Sequence, residues 1–155
     1  VHLEDGATPV WEDRDYDDRV MALAASVSVR DRQPDRFAAA HEALFNARHD
    51  EGKRLAGAED VEAALGAAGV DLDDVRADLA SRRPHRVLAD THAQMARAGV
   101  FGVPTFVVGD DAVFVRYMTR AGERDEDSVA VIESILALIS SDPELNEFKH
   151  TKVPA

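Results

Sequence analysis

One stretch of the sequence changes from a helical to an extended pattern, and it limits what the chain can fold into. Residues 99–108 read Gly-Val-Phe-Gly-Val-Pro-Thr-Phe-Val-Val, where two glycines interrupt a helical pattern before a β-branched and aromatic run. A glycine and two aspartates then supply a turn, and a second short run covers residues 112–115. Because residues that tolerate a positive φ separate two runs of strand composition, this stretch predicts a tight β-hairpin.

Pro104 stands at the start of the first predicted strand. Proline cannot donate a hydrogen bond to a sheet ladder, so it suits the first residue of a strand or an edge, and it restricts Val103 to extended geometry. An X-Pro bond is the kind that adopts the cis form at modest cost. A cis bond here would turn the backbone groups of Val103 outward, where they could pair with an extended peptide or a thiol ligand. The alternative is an ordinary trans proline at the beginning of a strand.

The remaining sequence predicts helices. Segments with apolar residues at helical spacing cover residues 16 to about 30, 34 to about 53, 61–68, 72–79, 84–98 and 128 to about 140. Asp15 and Asp71 are predicted N-caps, Pro34 and Pro84 suit a first turn, and Gly69 suits a helix C-terminus. The residues predicted to face the core are Val20, Leu23, Ala24 and Val27; Phe37, Ala40, Leu44 and Phe45; Val61, Ala64, Leu65 and Ala68; Leu72, Val75 and Leu79; Val87, Leu88, Thr91 and Met95; and Val129, Ile132, Ile135, Leu136 and Ile139.

Length and composition predict one globular domain with a helical part. The chain has 155 residues, 45% of them hydrophobic, and no apolar run long enough to span a membrane. A net charge of -12 disfavours nucleic acid and anionic membrane surfaces as partners. Residues 1–10 contain no signal-peptide pattern, and we expect a cytoplasmic location. The pattern divides the chain into an acidic arm (1–15), a helical part (16–98), a hairpin with a final helix (99–140) and an extended tail (141–155). Trp11 is expected to pack back onto the domain.

Few residues indicate a specific chemistry. The pairs His41 and His49, and His85 and His92, could each share a helix face, but no third ligand completes a metal set, so we expect no metal and no cofactor. Nucleophile, phosphate-loop and dinucleotide signatures are absent. A small basic and aromatic cluster follows the hairpin and could meet the carboxylate of a thiol ligand, although a structural ion pair would explain it as well. Its members are Arg116, Tyr117 and Arg120.

The order of these elements resembles a known family. A helical segment, a Gly-Val-Pro-Thr strand, a hairpin and a final helix are similar to the cis-proline region of DsbA-like thioredoxin-fold proteins, over residues 24–139. That family includes disulfide oxidoreductases, 2-hydroxychromene-2-carboxylate isomerases and kappa-class glutathione transferases. The resemblance implies an α/β, thioredoxin-like fold with a large helical insertion. It also implies that Val103, Pro104 and Thr105 border the active site and bind the substrate.

One departure from the family pattern bears on function: the chain contains no cysteine. The family's oxidoreductases carry a Cys-x-x-Cys at a helix N-terminus, where the thiol pKa is lowered. We therefore expect a fold that is incomplete at the N-terminus, no catalytic residue in this chain, and no redox activity by itself. The leading hypothesis is a protein like the DsbA-family thiol-disulfide oxidoreductases. A thiol-cofactor-dependent isomerase or transferase and a non-catalytic peptide-binding module are the alternatives. The expected partner is a small thiol or an extended peptide, and the sequence leaves open whether the chain forms a homo-oligomer.

Overall fold

The computed structural model describes residues 8–109, 111–116, 125–142 and 144, most of them in helices. The chain divides into two compact units, Val1–Ala93 and Gln94–Ala155, which we call the helical unit and the hairpin unit. A 3₁₀ turn over Arg14–Tyr16 precedes helices α1 (Asp17–Arg32), α2 (Pro34–His49), α3 (Ala58–Ala67), α4 (Leu72–Ala80) and α5 (Arg83–Arg97), strands β1 (Thr105–Val108) and β2 (Asp111–Phe114), and helix α6 (Asp125–Ser141). None of the helices in the described ranges combines the length and apolarity needed to cross a membrane.

The helix ends largely follow local sequence rules. The side chain of Asp71 accepts hydrogen bonds from the backbone N–H groups at positions 73 and 74, as expected of an N-cap. Pro34 opens α2, and Gly69 follows α3 with φ +73°, in the left-handed region that favours glycine. The prediction for Asp15 is wrong. Asp13 accepts from the Asp15 N–H at 3.0 Å and caps the 3₁₀ turn, so α1 begins one residue later than its predicted cap would place it.

The second helix ends four residues earlier than predicted. Its C-cap is Asp50, whose N–H donates to the carbonyl of Asn46. The chain then turns back, because the Lys53 N–H donates to the carbonyl of Ala47 at 2.9 Å while Gly52 adopts φ +71°. A glycine at a positive φ explains why the helical pattern stops here although polar helix-forming residues continue.

The core of the helical unit is built mainly from α1, α2, α3 and α4. Its buried members are Ala25, Val29, Ala40, Leu44, Ala47, Leu55, Val61, Ala64, Leu65, Val70 and Val75. Alanine supplies many of these contacts, and small side chains let helices approach closely. Most of the predicted stripes therefore face inward, with Phe37, Ala68, Leu72 and Leu79 partly buried against the same cluster.

In the helical unit, three residues predicted to be inward are exposed. Leu23 and Thr91 lie on the outer faces of α1 and α5. In α1 the buried face includes Ala24, Ala25, Ser28 and Val29, which turns Leu23 away from the core. Phe45 is exposed because its ring packs along its own helix instead, with ring centroids 4.8 Å from His41 and 5.4 Å from His49.

A buried carboxylate joins three helices of the helical unit. The Asp78 side chain is fully buried, and its Oδ2 accepts from the Ser28 hydroxyl of α1 at 2.8 Å. Arg83 of α5 donates from Nε to Oδ1 at 2.8 Å and from Nη2 to Oδ2. Arg32 lies 3.2 Å away through its Nε. Hydrogen bonds from Arg83 lower the pKa of Asp78 to about 2, against the raising effect of burial.

The N-terminal segment of the helical unit is held by the region where α4 meets α5. The Trp11 ring lies 4.6 Å from the His92 ring, centroid to centroid, and the Trp11 carbonyl accepts from Arg82 Nη2 at 2.7 Å. Arg82 also pairs with Asp17 at the start of α1. Its backbone has φ +62°, which costs a non-glycine residue about 1–2 kcal/mol. The expectation that Trp11 packs back onto the domain is confirmed.

In the hairpin unit, β1 and β2 pair antiparallel. Thr105 lies opposite Phe114 and Val108 opposite Asp111, with Gly109 in the turn at φ +62°. The predicted hairpin is confirmed, although β1 starts two residues later and β2 one residue earlier than expected. The α6 helix contacts β1. Of its predicted stripe only Ile139 is buried; Ile135 is half-buried, and three residues, Val129, Ile132 and Leu136, are exposed.

Candidate functional site

The candidate site is the loop that connects α5 to β1 in the hairpin unit. The Val103–Pro104 peptide bond is cis, and the Pro104 carbonyl accepts from the Val115 N–H at 3.1 Å. The Thr105 hydroxyl donates to the Gly102 carbonyl at 2.6 Å, which holds both ends of the loop together. Val103 itself is 87% exposed. The loop is therefore tied down on either side of a residue that faces solvent.

The backbone of Val103 stands outside the sheet ladder. The β1–β2 pairing begins at Thr105, and no hydrogen bond between residues in the described ranges uses the Val103 N–H or carbonyl. Each such group is an obligatory hydrogen-bonding group that needs water or a ligand as its partner. An extended ligand that runs beside this residue could therefore exchange main-chain hydrogen bonds with it, as in strand addition.

Two aromatic rings contact each other at the loop. Phe101 is 82% exposed, and its ring centroid lies 5.0 Å from that of Phe114 on β2. A Cβ atom built on Gly102 would lie 3.1 Å from Cε2 of Phe114, so the ring sits almost directly on the glycine backbone. The Arg116 guanidinium carbon lies 5.8 Å from the Phe114 ring centroid, within the range of a cation–π contact.

The residues predicted from the sequence occupy this loop. Val103 and Pro104 are exposed and Thr105 is half-buried. Sequence reasoning did not include Phe101 or Phe114 in the site. The one local signal was Gly102, because a glycine leaves room for a large side chain such as Phe114 to approach the backbone. Of the predicted basic and aromatic cluster, Arg116 lies beside Phe114, whereas Tyr117 and Arg120 fall outside the described residues.

The histidines named from the sequence lie in the helical unit and form separate contacts. His41 and His49 alternate with phenylalanines along α2, and His92 packs on Trp11. His85 is buried, and burial lowers its pKa. Its Nδ1 has no hydrogen-bond partner among the described residues, and its Nε2 lies 3.6 Å from Asp17. Within the described ranges, no three His, Asp or Glu side chains are grouped closely enough to hold a metal ion.

Comparison with known families agrees with this architecture. A family model described as the DSBA-like thioredoxin domain matches residues 16–124, which include most of the helical unit, the Val103–Pro104 loop and the hairpin. The match covers more than half of the chain, and the protein belongs to the DsbA-like thioredoxin-domain family. No curated protein matches the chain.

Proposed function

We propose that this chain provides the substrate-binding wall of a thiol-disulfide oxidoreductase of the DsbA-like family. In this proposal Val103, Pro104 and Thr105 contact the substrate, and the helical unit corresponds to the family's inserted helical domain. The observation that carries the proposal is the exposed Val103 backbone, with neither group engaged by a described residue. Membership in a thioredoxin-fold oxidoreductase family supports the same reading.

The proposed role is positional. In thiol-disulfide exchange, a thiolate attacks one sulfur of a disulfide, a new S–S bond forms, and the other sulfur leaves as a thiolate. None of the 155 residues is a cysteine, so the attacking thiolate belongs to a group outside this sequence. The Val103 N–H and carbonyl would hold the substrate extended, and the hydrogen bond between Thr105 and Gly102 would keep the loop in position.

A titration of the isotope-labelled chain followed by NMR tests the proposal. Oxidised glutathione and a disulfide-containing extended peptide serve as separate probes. We expect the amide signals of Val103 and Thr105 to shift in a saturable manner with at least one probe. Substitution Val103→Ala should change binding little, because the backbone makes the contacts, whereas Val103→Pro removes the N–H donor and should weaken binding.

The same experiment has outcomes that contradict the proposal. Shifts confined to the helical unit, or no saturable shift with either probe, would refute a substrate-binding role for the loop. Catalysis of insulin reduction by the chain alone would refute the proposal that it only binds the substrate, since the sequence supplies no thiolate. A folded far-UV circular dichroism spectrum is required of every variant, so that lost binding is not lost structure.

A non-catalytic peptide-binding module is the second candidate function. The exposed aromatic Phe101 beside an unpaired backbone segment favours it, because such a surface can hold a peptide without any redox chemistry. Saturable binding of a peptide that contains no sulfur, with no response to small thiols, would favour this candidate. Binding of glutathione alone would instead favour a thiol-cofactor-dependent isomerase or transferase of the same family.

A further inference from the structure

We infer that Phe101, Phe114 and Arg116, here called the aromatic-cationic cluster, select extended substrates that carry a carboxylate close to an apolar side chain. The inference rests on the proposed function, because it concerns what binds beside Val103. It goes further by naming a side-chain chemistry of the substrate and the residues that read it.

Pairing in the hairpin places Phe114 and Arg116 of the cluster on one face. Residues directly opposite each other in an antiparallel pair share a face, so Thr105 and Phe114 do so. Side chains two positions apart on a strand also share a face, which adds Arg116 to the same side as Phe114. The hydrogen bond from Val115 to Pro104 shows that pairing continues past β2 toward the loop. Arg116 therefore lies at the end of the hairpin where Pro104 lies.

The Arg116 guanidinium is oriented yet keeps its donors available. Its guanidinium carbon lies 5.8 Å from the Phe114 ring centroid, and none of its N–H groups donates a hydrogen bond to a described residue. Among the described residues, no carboxylate forms an ion pair with Arg116, whose side chain is exposed. Asp111, the acidic residue of β2, lies at the opposite end of that strand. A planar guanidinium of this kind matches a carboxylate through two parallel hydrogen bonds.

The apolar half of the cluster is unusually exposed for its size. The Phe101 ring contacts the Phe114 ring in a tilted arrangement, with an interplanar angle of 46°, but 82% of Phe101 remains accessible. Gly102 lets Phe114 approach the backbone next to Val103, and the Phe101 ring contacts the Phe114 ring there. An aliphatic or aromatic substrate side chain would cover these rings, and its neighbouring carboxylate would reach Arg116. The exposed cation beside two rings thus favours a segment that carries a carboxylate and an apolar side chain over a basic one.

A matched pair of peptides tests the inference. Both are seven residues long by design (about 20 Å when extended) and carry a central serine and an upstream phenylalanine. One has a glutamate two positions after the serine, and the other has glutamine there. We expect the glutamate peptide to bind about threefold to tenfold more tightly at low salt. High salt should reduce this preference, because the site is exposed and screened.

Variants assign the preference to the cluster. Arg116→Gln should bring the two affinities together, whereas Arg48→Gln, at an exposed arginine of α2, should leave the preference unchanged. Phe101→Ala should weaken both peptides about equally, by roughly threefold, without altering their ratio. Because both altered side chains are exposed, neither substitution should prevent folding.

Failure of the inference and failure of the proposed function give different results. If neither these peptides nor the two disulfide probes shift the Val103 and Thr105 amide signals, the proposed function fails. If only the disulfide probes shift them, the proposed function stands and the selectivity is refuted. If both peptides bind there with equal affinity, and Arg116→Gln changes nothing, the substrate-binding role stands and the selectivity is refuted. A preference that survives Arg116→Gln would also refute the inference, since another group would then read the carboxylate.

Discussion

The helical unit and the hairpin unit use their apolar residues in opposite ways. In the helical unit, apolar side chains from α1 to α4 meet in one buried cluster that includes Val29, Val61 and Leu65. In the described part of the hairpin unit, Ile139 alone is classed as a buried apolar residue, and large apolar side chains such as Phe101, Val103 and Leu138 are exposed. The comparison indicates that burial stabilises the first unit, whereas the second presents apolar surface that a ligand could cover.

Charges show the same contrast. The helical unit directs arginines toward its own carboxylates, as in the pairs of Asp78 with Arg83 and of Asp17 with Arg82. In the hairpin unit, Arg116 contacts a ring and forms no ion pair with a described residue. An internal ion pair contributes to a particular packing, while an exposed cation without a carboxylate partner is available for recognition. The following predictions are arranged from the largest expected effect to the smallest.

The largest effect should come from the core of the helical unit. Leu65 is fully buried within the cluster, so Leu65→Ala should lower the free energy of unfolding by about 3 kcal/mol through lost burial and a residual cavity. Leu138→Ala is the matched change in the hairpin unit, where the side chain is 45% exposed, and should cost less than about 1 kcal/mol. Urea unfolding followed by far-UV circular dichroism gives both values. Equal losses for the two variants would contradict the comparison.

The buried carboxylate should produce the next effect, and it should depend on pH. The folded-state pKa of Asp78 is lowered from 3.8 to about 2, so its charged form contributes on the order of 2 kcal/mol at neutral pH. That contribution is present above the unfolded-state value and is lost as the pH falls from about 4 toward about 2. Asp78→Asn should therefore lower the free energy of unfolding at neutral pH. In this variant the free energy of unfolding should also fall less steeply than in the parent chain as the pH drops below about 4.

An exposed ion pair provides the control for Asp78. Glu62 pairs with Arg76 at the surface of the helical unit, with their nearest atoms 2.6 Å apart. Solvent screens such a pair, so Glu62→Gln should have a much smaller effect on the urea midpoint than Asp78→Asn. If the two variants lose the same stability, or if Asp78→Asn keeps the full acid dependence, the assignment of this dependence to the buried network is wrong.

The smallest effect should come from His85. Burial and the nearby Arg82 and Arg14 lower its folded-state pKa, and Asp17 opposes them only in part. The unfolded chain therefore takes up the proton first as the pH falls below about 6.5, and the folded state loses stability over that range. His85→Gln should remove this slope from unfolding curves measured between neutral and mildly acidic pH. His41→Gln, at an exposed residue of α2, should preserve it, and retention of the slope in His85→Gln would refute the prediction.

Local signals predicted much of the fold. The cap at Asp71, the left-handed Gly69 and the hairpin around Gly109 each depend on a few neighbouring residues, and all three are present. The order of elements also sufficed to predict the family. The burial of Asp78 was not predicted, because its partners Ser28 and Arg83 come from two other helices. An aspartate in an acidic helix is expected from the sequence to face solvent.

The sequence by itself determined where the chain is helical, where it turns into a hairpin, and that no cysteine is present for redox chemistry. Only the tertiary structure decided that Leu23 and Phe45 face outward, that Asp78 is buried, and that Phe101 and Arg116 lie beside the Val103 loop. The physical reason is the distance along the sequence between the residues whose contacts decide each feature. Caps and turns are set by hydrogen bonds within a few residues, whereas burial and the assembly of a surface depend on which distant helices and strands meet.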